Sequence, residues 1–190
     1  MADIQNQKLL YHITSIHNLA SILKTGLMPR AQLHNFIDVA DHEILGGRAA
    51  HGLEHYVPFH FFAKNPFDGK VQKDNPLIDF VLISVHRNTA SENGWRVIPR
   101  HPLANQKLEL LEYAEGMKSI DWEMMNLRDY HNAESKSVCM AECLSPYTVT
   151  SDSFYSLFVS NDRVKQQVDK ILKESNIEIE VIVNQSMFTR

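Results

Sequence analysis

Long apolar runs are missing from this chain. No stretch approaches the ~18 consecutive apolar residues that a membrane-spanning helix needs. The start, Met1 to Lys8, is polar and lacks the apolar segment of a secretory signal. A cytoplasmic protein with no membrane partner is expected. Cysteine is scarce, with only Cys139 and Cys143. Four residues along a strand span ~13 Å, too far for a disulfide, and two cysteines at this spacing make no zinc knuckle. Both read as buried thiols in a reducing compartment. An excess of positive charge is also absent: 19 basic against 23 acidic residues leave a net charge of −4. That excludes non-specific coating of duplex DNA by a global field and confines any nucleic-acid contact to a local patch or groove. There is no internal repeat and no low-complexity tract.

What remains is ordinary globular composition, 44% hydrophobic and 22% charged over 190 residues. At ~150 residues per domain this predicts one domain, residues 1–190, able to bury a core without disulfides or metals. Leu9–Ile13 reads as a strand. Ser15 is placed to cap a helix with Ile16, Leu19, Ile22 and Leu23 on one face, stopped by Gly26. Val57–Phe62, Ile78–Val85, Val138–Leu144 and Phe154–Val159 read as strands. Asn105 is expected to cap a helix with Leu108, Leu111 and Met117 inward, and Ser160 one with Val164, Val168, Ile171 and Leu172 inward. Ile177–Val183 alternates as a half-exposed strand. Turn punctuation marks loops at about 29–56, 63–76 and 88–105. The mixture has no regular βαβ repeat, so an α+β domain with antiparallel pairing is predicted.

Several residues in this frame could carry chemistry. Ten histidines are present, nine of them at or before His101. Tyr11-His12-Ile13-Thr14 ends a strand ahead of a helix start, where N–H groups and the positive dipole end can hold an anion; His12 reads equally as a structural imidazole bonded to a carbonyl. Arg48 follows two glycines that permit close backbone approach to a ligand, or is a solvated surface arginine. His51, His55 and His60 raise a metal site, yet no zincin-type Glu accompanies them. Glu142 lies in an apolar run, and a carboxylate there must be paired or face a cleft.

Read together, these segments resemble the DarT family of DNA ADP-ribosyltransferases, NAD-using toxins of bacterial toxin–antitoxin systems. The likeness rests on Tyr11-His12-Ile13-Thr14 with Asn18-Leu19 and Ile22-Leu23, then Arg48, then Tyr56-Val57-Pro58-Phe59, then Asp121-Trp122 and Ala141-Glu142, then Arg163-Val164. It implies an ADP-ribosyltransferase-like fold with two small, mainly antiparallel sheets gripping NAD in a cleft. It implies that His12 holds the adenosine-side ribose and that Ile13 and Thr14 support the dinucleotide. Glu142 would be the catalytic glutamate, stabilising an oxocarbenium-like sugar as nicotinamide leaves. Arg48 matches an arginine that is catalytic or substrate-positioning. A guanidinium stays protonated in proteins, so anion or phosphate binding is open beside a role as base. His60 stands where many members have Tyr, near the NAD or base pocket, which leaves thymine and guanine both open as the modified base. No metal is implied. A DarG-like macrodomain antitoxin is the implied partner, and the substrate is single-stranded DNA, whose base need not be pulled from a stack. Trp95, Arg96, Arg100, His101 and Lys136 combine aromatic and cationic character and are the candidate DNA-groove residues. Competing readings are an enzyme of the same fold acting on RNA or protein, a non-catalytic nucleic-acid-binding module, and a metal-dependent hydrolase built on the histidines.

Overall fold

A computed structural model describes residues 3–34, 36–39, 42–103 and 108–189. Strand β1 (Leu9–Ser15) runs into α1 (Ile16–Thr25), where the Ser15 side chain accepts the His17 N–H. Such a cap contributes ~1 kcal/mol. Gly26 ends the helix at φ +85°, and a Cβ there would sit 2.6 Å from Thr148 Cγ2, so this stop needs glycine. After α2 (His42–Ala49) come β2 (Val57–His60), α3 (Pro66–Asp74), β3 (Phe80–His86), α4 (Arg87–Glu92), β4 (Arg96–Ile98) and β5 (Leu111–Glu112). Then follow α5 (Tyr113–Ser119), α6 (Trp122–Leu127), α7 (Ala133–Val138), β6 (Glu142–Ser145), β7 (Ser156–Val159), α8 (Asp162–Ser175) and β8 (Glu180–Val183).

The strands form one eight-stranded sheet in the order β5-β4-β6-β2-β1-β3-β7-β8. Two separate sheets were expected from the resemblance. The reason for the difference lies at the centre. β1 pairs with β3 along its whole length, from Leu9 opposite His86 to Ser15 opposite Phe80, but meets β2 only at Tyr11 opposite His60. Two four-stranded halves are thus joined by one residue pair, and the strands part beyond it. The pairing is antiparallel except between β7 and β8.

The main core gathers Leu19 and Leu23 of α1, Val164, Val168 and Leu172 of α8, and the strand residues Phe59, Val81, Ile83 and Cys143. Each fully buried aliphatic side chain contributes ~2 kcal/mol of burial. A smaller cluster around Ile13, Leu82, Phe158 and Phe188 lies elsewhere on the sheet.

Several predicted loops are elements. In 63–76, Asn65 caps α3 and Pro66 opens it, because proline at the first helical position gives up only an N–H that would lack a partner anyway. Stretch 88–105 contains α4 and β4, and 29–56 contains α2. Val138–Leu144 is no continuous strand: Val138 ends α7, Cys139 caps it, and β6 starts at Glu142. Leu111 pairs with Val97 in β5, so the helix carrying Met117 begins only at Tyr113; its expected cap, Asn105, lies outside the described residues. The last long helix is capped by Asn161, one residue beyond Ser160.

Candidate active site

A cavity of about 280 Å³ opens where β1 and β2 part, close to the ~300 Å³ lower bound of small-molecule sites. His12 and Thr14 reach it from β1, Asn18 and Ile22 from α1, Arg48 from α2, Pro58 and His60 from β2, and Glu142 from β6. Phe67, His101 and Met140 complete the nearby wall. The imidazole at 12 and the carboxylate at 142 therefore share one hollow, although 130 positions separate them in the sequence.

Glu142 stands opposite His60 on one side and Ile98 on the other. It is buried, and Arg48 Nη1 donates to Oε1 at 2.6 Å and to Oε2 at 2.7 Å. A charge-assisted pair of this kind is shorter and stronger than a neutral hydrogen bond. Arg48 Nη2 is different. It is buried and has no hydrogen-bond partner among the described residues. An orphaned guanidinium nitrogen lining a cavity calls for an acceptor from outside the chain.

The histidines are arranged to be neutral. His12 Nδ1 lies 2.8 Å from the Pro58 carbonyl; a carbonyl only accepts, so Nδ1 carries the proton and Nε2 is left as an acceptor. Burial lowers its pKa to about 4, against the opposing effect of the Pro58 bond, with the His60 and Arg48 charges lowering it further. His60 donates from Nδ1 to the Ala141 carbonyl at 3.2 Å, and its ring lies against Phe67 with centroids 5.4 Å apart. Burial lowers its pKa despite the nearby Glu142 carboxylate. His101 is lowered for the same first reason, with Glu142 opposing and Arg48 and Lys136 adding to the effect. The backbone N–H of His101 is fixed on the Ser137 carbonyl at 2.8 Å.

Thr14 is buried, and its hydroxyl accepts from Asn18 Nδ2 at 3.4 Å. Asn18 in turn clamps the Ile37 backbone, donating to its carbonyl and accepting from its N–H, each at 2.9 Å. This clamp was not foreseen as part of the site; its signal is an amide one turn beyond the histidine-threonine strand end. The Ile13 side chain packs in the smaller core, so the peptide rather than the side chain is what it can offer the cavity.

Among the expected DNA-groove residues, His101 alone lines this cavity. Trp95 is a correction. It is 2% exposed and packs on Phe59 just ahead of β4, with ring centroids 5.0 Å apart, so it has no face to offer a base. Arg96 pairs with Glu112 across β4 and β5, and Arg100 pairs with Glu134 at 2.9 Å. Lys136 is exposed on α7. His51 and His55 are exposed, and among the described residues no group of three His, Cys, Asp or Glu side chains is placed to hold a metal ion. Among the same residues no helix is long and apolar enough to cross a membrane.

A carboxylate paired with a guanidinium in a cleft beside buried imidazoles suits glycosyl transfer, in which positive charge builds on a sugar. The chain belongs to the DarT family: a family model described as ssDNA thymidine ADP-ribosyltransferase, DarT, matches residues 11–189. No curated protein matches it. The fold is similar to that of Thermus sp. 2.9 DarT in complex with ADP-ribosylated ssDNA, with a TM-score of 0.83 at 20% identity over 95% of this chain and 96% of that one. Thermus sp. 2.9 DarT in complex with NAD+ gives 0.78 at 18% identity, over 96% and 98%. Thermosipho africanus DarTG in complex with ADP-ribose gives 0.76 at 22% identity, over 96% of this chain and 51% of that one.

Proposed function

We propose that this chain, folded as one domain over residues 1–190, takes NAD as co-substrate and transfers its ADP-ribose to thymine in single-stranded DNA. The supporting observation is the shared cavity of His12, Arg48 and Glu142, with one guanidinium nitrogen left without an acceptor. His12 Nε2 accepts a hydroxyl of the adenosine-side ribose. The backbone at Ile13 and Thr14 supports the dinucleotide. His60 flanks the nicotinamide end.

Glu142 accepts the hydroxyl of the nicotinamide ribose and opposes the positive charge that grows at C1′. The bond from C1′ to the nicotinamide nitrogen breaks, and nicotinamide leaves with the electron pair. A ring nitrogen of the base forms the new bond to C1′ and releases its proton to solvent water. Arg48 holds the carboxylate in place and offers Nη2 to a phosphate or to the anionic edge of the base. Neither role needs a deprotonated guanidinium. Thymine is preferred to guanine because the matching family is described by thymidine. The reaction needs no metal, the protein acts in the cytoplasm as a toxin, and a DarG-like macrodomain antitoxin is its partner.

The test is mass spectrometry of nucleosides from a single-stranded oligonucleotide treated with protein and NAD. An ADP-ribosyl-thymidine that forms about 10²–10³-fold more slowly with Glu142→Gln and persists after chelation is expected. Label on RNA or protein alone, or transfer at the wild-type rate with Glu142→Gln, overturns the reading.

A further inference from the structure

Beyond the cavity lies a second concavity of about 400 Å³, lined by Tyr11, Phe62, Lys64, Arg128 and Tyr130 among others. It shares no lining residue with the cavity that holds Glu142. Tyr11 stands opposite His60 in the sheet, so a lining residue of each hollow sits at the pair that joins the halves of the fold.

The walls of this groove are unusual in their backbone. Among the described residues only Lys64, Arg128 and Asn176 combine a side chain with positive φ, at 61°, 50° and 54°. Asparagine tolerates that conformation; lysine and arginine do so at a penalty. Glycine would take either turn without strain, yet a long cation stands at each, and both cations edge the same groove. Such outliers persist where the surroundings over-determine them. Here the Lys64 N–H donates to Asp68 Oδ2 at 3.0 Å, and the Tyr130 hydroxyl donates to the Lys64 carbonyl at 3.1 Å, tying one wall to the other. The Arg128 guanidinium lies over the Phe62 ring at 4.8 Å. Neither Lys64 nor Arg128 forms an ion pair with a carboxylate among the described residues, whereas Arg30, Arg48, Arg96, Arg100 and Arg163 all do.

We infer that this groove is a second subsite for single-stranded DNA, holding phosphates and a base away from the reacting nucleotide. The inference rests on the proposed reaction. Two unpaired cations beside partly exposed tyrosines in a chain of net charge −4 match a flexible polyanion with stackable bases. The chain runs only four residues from His60 to Lys64, at most ~13 Å, so one strand that places a base in the cavity can continue into the groove, and a very short one cannot fill both.

The experiment is fluorescence anisotropy with labelled oligonucleotides of about 4 and about 16 nucleotides, the range of single-strand site sizes, titrated over salt. Losing two phosphate contacts at ~0.7 counterions each lowers the salt slope by about 1.4, or roughly 25-fold in affinity at ~0.1 M salt. For Lys64→Gln with Arg128→Gln, that loss is expected on the long oligonucleotide, with less than a twofold change on the short one. Lys64→Arg with Arg128→Lys restores the slope, which a merely structural role for these turns does not predict. A wild-type slope and length dependence in the double glutamine variant overturns the subsite alone. A wild-type protein that binds neither oligonucleotide overturns the subsite together with the proposed reaction.

Discussion

Two arginines are drawn out of water in this molecule, and their surroundings differ in kind. Arg87, at the start of α4, is 6% exposed and forms no ion pair with a carboxylate among the described residues. It donates to four main-chain carbonyls, those of Ile4, Gln5, Leu9 and Phe61, at 2.9–3.3 Å. Its guanidinium lies over the rings of Phe61 and Trp122, 5.3 and 5.7 Å from their centroids. Among the described residues the Arg48 guanidinium has a single partner, Glu142, and a buried nitrogen with none. The saturated arginine ties the N-terminal segment, β1 and the end of β2 into one body. The unsaturated one faces a cavity. Hydrogen-bond completeness, more than burial, separates a group that holds the fold from one that awaits a ligand.

The contrast can be broken most severely at Glu142. Glu142→Gln keeps the shape but removes the charge that answers the growing positive sugar, and a drop of about 10²–10³ in the transfer rate is expected, roughly 3–4 kcal/mol. Single-turnover transfer to an oligonucleotide would show it, with NAD affinity moving far less, because the lost interaction strengthens mainly at the transition state. An equal loss in NAD binding would mean that the carboxylate merely holds the substrate.

Arg87→Leu should act on the other side of the comparison. Losing four hydrogen bonds from a buried guanidinium to main-chain carbonyls predicts about 3 kcal/mol of lost stability, read as a lower urea midpoint. The folded fraction should keep its transfer rate. A normal midpoint would show that water or a local shift satisfies those carbonyls.

Arg48→Lys is a finer probe. An ammonium cannot hold both carboxylate oxygens and still present a second nitrogen to the cavity, so transfer should fall about 10- to 100-fold with little change in the thermal midpoint. Wild-type transfer by this variant would reduce Arg48 to a point charge.

The smallest effect is in pH. Burial raises the Asp68 carboxyl to about 7 from 3.8, against the Lys64 and Asn65 hydrogen bonds that lower it. Between those values the native state holds a proton that the unfolded chain has lost, so this group's contribution to stability declines as pH rises through the window. His12 works the other way: its native pKa of about 4 against 6.5 makes stability rise with pH between those values. Asp68→Asn removes only the first effect. Its thermal midpoint relative to the wild type should therefore improve from pH 5 to about pH 7 and level off above that, and a constant difference would show that Asp68 does not titrate there.

How much of this could be read in advance varies by region. The strand-to-helix entry at Ser15 and the stop at Gly26 are local events, set by a hydroxyl in reach of an N–H and by a φ that glycine adopts freely. The apolar spacing of Val164, Val168 and Leu172 gave the last long helix in the same way. Around α3 the local signals are ambiguous: Asn65-Pro66 is turn punctuation that suits a loop, and it is also a cap followed by the one helical position that suits proline. At Trp95-Arg96 the composition suggests a nucleic-acid groove, but packing on Phe59 buries the tryptophan just ahead of β4.

Composition, periodicity and capping residues thus determined most of the long elements and marked His12 and Glu142 as residues that needed an explanation. Only the tertiary structure decided that a histidine on β1, an arginine on α2 and a glutamate on β6 line one hollow, that Arg87 is saturated while Arg48 is not, and that two strained cations meet across a second groove. Helices and caps arise from interactions a few residues apart, which a sequence displays. The cavity arises because β1 and β2 hold together at a single pair and then part, and that gap depends on every strand packed on either side.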